Sequence, residues 1–244
     1  MTNSSTNEIT IANRDGLLTI TLNRPQKANA LTLEMNEALA AALQDARNND
    51  TVSGVLITGA GERVFSGGVD VRATSTLPLE VFRQKRSTAF FAVLLALVDF
   101  PKPVAAAVNG VASGGGFMIA ALADVIVASE NASFALPEID LGSPPLAGLA
   151  ILSPLLGGSL AYELVQTGRK LSAAQAKACG LVHEIAPHAE LAARAEQRIR
   201  EWMAKNPRAI SRSKGWVREP VRAELVRAEQ AMLDYRLHGE QSAL

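Results

Sequence analysis

The sequence predicts an α/β core followed by a helical C-terminal region. Two patterns carry that prediction. Short apolar runs closed by glycine alternate with helical stretches through the first two-thirds of the chain, and from Leu146 onward nearly every segment has helical character. With 244 residues, 48% of them apolar and 20% charged, the chain is long enough for one well-buried core.

Residues 9–12 and 17–22 alternate as strands around the turn Asn13-Arg14-Asp15-Gly16. Asn23-Arg24-Pro25 ends the second strand. Leu33, Met35, Leu39, Ala42 and Leu43 then mark one face of a helix, with Thr32 as its N-cap. Residues 54–58 (Gly-Val-Leu-Ile-Thr) form a buried strand ended by Gly59 and Gly61. Residues 90–98 predict a core helix, and residues 104–108 a second buried strand followed by Asn109-Gly110. Gly114 to Gly116 lead into a buried helix at 117–122, and residues 125–128 are a strand. The expected division is an α/β core over residues 1–190 and a helical region over 191–244, serving oligomerisation and covering the active site. Within it, Trp202 and Trp216 are expected to pack the helices. Arg208, Arg212 and Lys214 are expected on a solvated basic face, and 222–236 as a possible oligomer contact.

Composition excludes several classes. Lysine plus arginine equals aspartate plus glutamate at 24 each, so no strong pull toward nucleic acid or an anionic membrane is expected. Cys179 is the only cysteine, which rules out an intramolecular disulfide and fits a cytoplasmic protein. Residues 1–8 are polar, expected to be disordered, and carry no apolar signal core. The longest apolar stretch, 89–98, stops at Asp99 and is too short to span a bilayer. His183, His188 and His238 have no metal-ligand spacing with cysteines or acids, so no metal site is expected. No Gly-x-Ser-x-Gly elbow, phosphate-binding loop or dinucleotide fingerprint is present.

Two glycine segments hold the chemistry. Phe65-Ser66-Gly67-Gly68-Val69-Asp70 follows one buried strand, and Ser113-Gly114-Gly115-Gly116-Phe117 follows the next and opens a helix. Glycine permits backbone angles and close approaches that a Cβ would block. The first N–H groups of a helix lack intrahelical partners. Either segment alone is an ordinary tight turn. Together they match a pair of backbone donors around a developing oxyanion.

The chain resembles the enoyl-CoA hydratase/isomerase family, the crotonase superfamily, from about Ile9 to about Val182. The resemblance rests on an ordered series: Asn23-Arg24-Pro25 with Asn29-Ala30-Leu31, the Phe65–Val71 segment, Pro101-Lys102-Pro103-Val104 leading to Asn109-Gly110 and Gly114-Gly115-Gly116, Phe134-Ala135-Leu136-Pro137-Glu138 with Leu141-Gly142, and Thr167-Gly168 followed by Ala173 to Val182. It implies a spiral of ββα units whose C-terminal helices support homotrimers or dimers of trimers. It also implies that Val69 and Gly115 supply the two N–H donors. An acyl-CoA thioester is the implied substrate, lying near Lys27, Ala28, Ala30, Gly67, Val69, Asp70 and Val71. Coenzyme A would enter only as part of that substrate, with no separate cofactor.

One departure bears on the reaction. Hydratases of this family carry two glutamates; Glu138 matches one, and Met118 stands at the other. Adding water to a 2-enoyl thioester ordinarily uses two carboxylates, whereas one suffices to move a proton from C2 to C4. The resemblance therefore implies a single-base isomerase, with Met118 and Leu146 lining the acyl pocket. A hydratase or related lyase using Glu138 alone, and a silent acyl-CoA-binding subunit, are the alternatives. Asp140 would share a side with Glu138 only if the segment is extended. The run Leu146-Ala147-Gly148-Leu149 differs from the hydratases' glycine-rich run. The family's usual C-terminal segment is not recognisable after Tyr235.

Overall fold

A computed structural model describes residues 8–73 and 75–238. Strands β1 (Ile9–Arg14) and β2 (Leu17–Leu22) form an antiparallel hairpin across Asp15 and Gly16, both at positive φ. Helix α1 (Leu33–Asn48) starts where the Thr32 hydroxyl accepts the Met35 N–H, a cap worth about 1 kcal/mol. The polar start of the chain falls, for residues 1–7, outside the described residues, as does 239–244.

Three successive units then repeat one plan. Each places a strand in a large sheet, then a short strand in a small sheet, then a helix. They are β3 (Gly54–Gly59), β4 (Val64–Ser66) and α2 (Leu79–Val98); β5 (Val104–Val108), β6 (Val111–Ser113) and α3 (Gly115–Ala121); and β7 (Val125–Ser129), β8 (Ser133–Ala135) and a 3-10 turn at Pro137–Leu141 before α4 (Leu146–Leu156). The chain closes with α5 (Gly158–Thr167), β9 (Leu171–Ser172), α6 (Ala173–Ala178), β10 (Glu184–Ala186), α7 (Leu191–Met203) and α8 (Pro207–His238). The six-stranded sheet has the order β1-β2-β3-β5-β7-β10, parallel throughout except for the β1–β2 hairpin. The four-stranded sheet has the order β4-β6-β8-β9. This is the spiral of ββα units with a helical C-terminal region.

The strand sequences explain the layering. All five residues of β5 are buried, because both faces of the sheet are covered. Val104, Ala106 and Val108 face the main core with α1, α2 and α3, while Ala105 and Ala107 join a second core with Leu191, Ala195 and Ile199 of α7. The period of two thus splits one apolar run between two cores.

Helix α8 buries Lys214, Arg218, Val221, Leu225, Ala228 and Met232, a spacing of three and four along one stripe. It packs on α4 and α2. Two expectations fail here. Lys214 is not on a solvated face: its ammonium is buried against Asp124 at 2.6 Å. Trp216 does not pack the helices: it is 86% exposed, two positions from each of the stripe residues Lys214 and Arg218 and hence on the opposite side. Helix α2 also begins at Leu79 rather than near Phe90, because its first half is charged and solvent-facing and shows no apolar run.

Candidate active site

The two glycine segments meet. Gly68 has φ of +90°, and a Cβ built on it would fall 2.7 Å from the Ser113 carbonyl oxygen and 3.0 Å from the Gly115 nitrogen. A Cβ on Gly115 would fall 3.3 Å from Val69 Cγ2 and 2.8 Å from the Phe90 ring, and one on Gly116 would strike Ser66. The loops can approach this closely only because glycines line both sides.

Their hydrogen bonding leaves the two expected donors open. Val69 forms a parallel bridge with Leu31, in which the Leu31 N–H donates to the Gly68 carbonyl at 2.8 Å and the Asp70 N–H donates to the Leu31 carbonyl at 2.9 Å. The bridge uses the residues flanking Val69, so Val69's own N–H points away from Leu31. Gly115 is the first residue of α3, where no intrahelical acceptor exists for its N–H. Among the described residues, neither N–H has an acceptor.

Glu138 stands beside this junction. The 3-10 turn that holds it begins with Pro137 and is closed by Gly142 at φ +69°, whose N–H returns to the turn's carbonyls. Glu138 Oε1 lies 2.9 Å from the point a Gly114 Cβ would occupy, next to the Gly115 donor. Its other oxygen, Oε2, is buried and has no partner among the described residues. Desolvation pushes its pKa from 4.5 up to about 7, opposed by a hydrogen bond from its own backbone. A carboxyl with its pKa raised toward neutral and one unpartnered oxygen is suited to accept and return a proton.

The other expected residues divide into groups. Lys27, Ala28, Ala30 and Gly67, Asp70, Val71 form adjoining stretches of one surface, joined by the Gly67 N–H to the Ala28 carbonyl at 2.8 Å and by the Leu31–Val69 bridge. Lys27, Ala28, Gly67 and Val71 are exposed, while Ala30 and Asp70 are half-buried. Met118 is buried one turn into α3, and Leu146 opens α4, which packs against α3. Asp140 does not share a side with Glu138. The segment is a 3-10 turn rather than extended, and the Asp140 carboxylate faces Gly168 instead, 3.0 Å from where its Cβ would be. The contacts of Phe90 with Gly115, of Arg86 with the Asp70 carbonyl and of the buried Asn29 amide with the Ala60 and Val64 carbonyls are not legible in the sequence, since each joins distant elements. A cavity of about 360 Å³ lies elsewhere, under α8, and is not lined by Val69, Gly115 or Glu138.

Comparison with known proteins agrees with this architecture. Residues 12–243 match the family model described as enoyl-CoA hydratase/isomerase. The chain is similar to the carnitinyl-CoA dehydratases of Salmonella enteritidis PT4 and Salmonella typhi, 40% identical over 196 residues, covering 80% of this chain and 74% of each relative. Among solved structures, an enoyl-CoA hydratase from Mycobacterium avium subsp. paratuberculosis K-10 superposes with a TM-score of 0.85 at 28% identity, covering 98% of this chain and 96% of that one. The enoyl-CoA hydratase from Bacillus anthracis gives 0.81 at 29% identity, covering 96% and 92%. Pseudomonas aeruginosa DspI gives 0.82 at 25% identity, covering 98% and 99%. A match over nearly the whole chain, together with the ββα spiral, makes this protein a member of the enoyl-CoA hydratase/isomerase family, the crotonase superfamily.

Proposed function

We propose that the chain binds an acyl-CoA thioester and isomerises its double bond, with Glu138 as the single proton shuttle. The thioester oxygen accepts hydrogen bonds from the Val69 and Gly115 N–H groups. Glu138, as carboxylate, takes a proton from C2 of a 3-enoyl-CoA, and the resulting enolate is held by the two donors. The carboxylic acid then returns the proton at C4, leaving the double bond between C2 and C3. The observation that carries this reading is one buried carboxyl with an unpartnered oxygen beside Gly114, while Met118 is buried where hydratases place a second acid. Met118 and Leu146 line the acyl end. Lys27, Ala28, Ala30, Gly67, Asp70 and Val71 flank the coenzyme A. A homotrimer or dimer of trimers belongs to the same proposal, supported by exposed apolar residues such as Leu141, Leu155, Tyr162 and Trp216; light scattering reads it.

The names of the 40%-identical relatives favour a second reading, a lyase or hydratase in which Glu138 works with an ordered water or a substrate group. One preparation assayed on 3-enoyl-CoA and on 2-enoyl-CoA separates the two. The isomerase reading expects double-bond migration that outpaces hydration, and fast hydration without migration defeats it. Gly115→Pro removes one donor, worth about 3 kcal/mol of barrier, and its ring also meets Phe90, so turnover should be abolished.

A further inference from the structure

We infer that Arg24 is a positioning residue that aims the Val69 N–H from outside the site, an inference that rests on the oxyanion reading above. Its guanidinium is nearly buried and ties together three separate stretches of chain. Nε pairs with Glu8 at 2.9 Å, and Nη1 donates to the Ala30 carbonyl at 2.7 Å and to Asp70 Oδ2 at 3.1 Å. Ala30 and Asp70 adjoin the Leu31–Val69 bridge, one on each strand, so Arg24 closes that bridge like a clasp.

The loop needs such a clasp. The Val69 N–H belongs to the Gly68–Val69 peptide, whose carbonyl accepts from Leu31, so its direction follows the Leu31–Val69 bridge that Arg24 braces on both strands. Asp70 is held at every polar group. Its N–H donates to Leu31, its carbonyl accepts from Arg86 at 3.0 Å, Oδ1 accepts the Arg72 N–H at 3.1 Å, and Oδ2 accepts from Arg24. The opposite strand is held as firmly. Ala28 and Asn29 sit at φ +54° and +49°, angles that side-chain-bearing residues keep only where surroundings dictate them. Asn29 is locked by the Arg24 N–H to its Oδ1 at 2.9 Å and by its own amide to the Ala60 and Val64 carbonyls. The Ser66 hydroxyl donates to the Asn29 carbonyl and accepts the Gly68 N–H at 3.1 Å, which links the two strands again just before the donor. Arg24 touches no part of the proposed reaction, yet it joins both sides of the frame around Val69.

The test uses the full chain with Arg24→Gln, Arg24→Lys and Glu8→Gln. It measures kcat and KM on both enoyl-CoA substrates. It also follows the carbonyl band of bound butyryl-CoA, a saturated ester that cannot be isomerised, by difference Raman spectroscopy. Misdirecting a donor lowers turnover, so Arg24→Gln is expected to lose about tenfold to a hundredfold in kcat. KM should stay within about threefold, because an interaction felt in the transition state is lost rather than uniform binding. The downshift of the thioester carbonyl expected in wild type should shrink by half or more in Arg24→Gln. Arg24→Lys should recover part of both, and Glu8→Gln should leave both at wild-type levels. A folded Arg24→Gln with the wild-type carbonyl shift, or one altered in KM alone, overturns the inference. If Arg24→Gln does not fold, Asp70→Ala, which releases the loop and keeps the Glu8 and Ala30 ties, is judged by kcat and the carbonyl shift alone, because Asp70 also flanks the coenzyme A; a wild-type shift in that variant overturns the inference. A wild-type protein that shows no carbonyl downshift defeats the oxyanion reading itself, a separate failure.

Discussion

Two buried carboxylates stand at opposite ends of α3, and the chain treats them in opposite ways. Asp124, just past the helix's end, receives Lys214 at 2.6 Å, Arg218 at 3.4 Å and the Val104 N–H at 2.8 Å. Arg218 also donates to the carbonyls of Leu122 and Ala123, and Lys214 to that of Lys102. Burial lowers the Lys214 pKa while Asp124 raises it. Among the described residues, Glu138, beside the start of α3, forms no ion pair, and one of its oxygens has no partner. Taking a charge out of water costs several kcal/mol unless partners replace the water. At Asp124 they do, and the acid becomes a dock for α8. At Glu138 they do not, and the acid is left able to exchange a proton. Burial alone therefore does not single out a candidate for proton transfer; burial with an unpartnered oxygen does.

The largest expected effect is at the uncompensated end. Glu138→Gln should lower kcat about a hundredfold to ten-thousandfold with the fold intact, as expected for loss of a general base. Steady-state assays on 3-enoyl-CoA with circular dichroism check it, and a Gln variant that retains turnover would erase the contrast. At the other end, Asp124→Ala leaves two cations buried without their anion and should cost about 3–5 kcal/mol of stability. Urea denaturation reads that loss, while kcat per folded molecule should hold near the wild-type value. A smaller effect is expected from Met118→Glu, which restores a second acid. Hydration of 2-enoyl-CoA should rise by about tenfold or more, since paired acid–base groups assist the addition of water. The new carboxylate should also push the Glu138 pKa further up by like-charge repulsion, moving the pH profile to higher pH.

A further effect is thermodynamic. Glu138 has a folded-state pKa of about 7 against an ordinary 4.5, so between those values the folded protein holds more protons than the unfolded one. Its stability contribution is then fully present below pH 4.5 and is lost as pH rises through 7. Wild type should lose stability over that window relative to Glu138→Gln, measured as the difference in denaturation midpoint at matched pH. Parallel curves for the two proteins would mean the carboxyl is better solvated than its surroundings imply. In the same window kcat/KM should rise, because the base works as its carboxylate.

Much of this was legible residue by residue. The apolar runs of β3, β5 and β7, with glycines after the first two, mark buried parallel strands without any structure. Thr32 predicts its cap, and the two Gly-Gly segments predict backbone donors. The small sheet was not legible, since β4, β6 and β8 have three residues each and no alternation can emerge over that length. Nor was the burial of Lys214 and Arg218. In one dimension they look like any basic helix face, and only Asp124, roughly a third of the chain away, turns them inward.

The order of residues alone determined the α/β class, the positions where glycine admits close approach, and the presence of Met118 where the family resemblance implies a second glutamate. Those properties are local, set by periodicity, side-chain size and backbone freedom. Only the tertiary structure decided that Gly68 touches Gly115, that one oxygen of Glu138 is left without a partner among the described residues and that Asp124 is well partnered. Each is a matter of distance between segments far apart in the chain, and solvation depends on what the fold brings near.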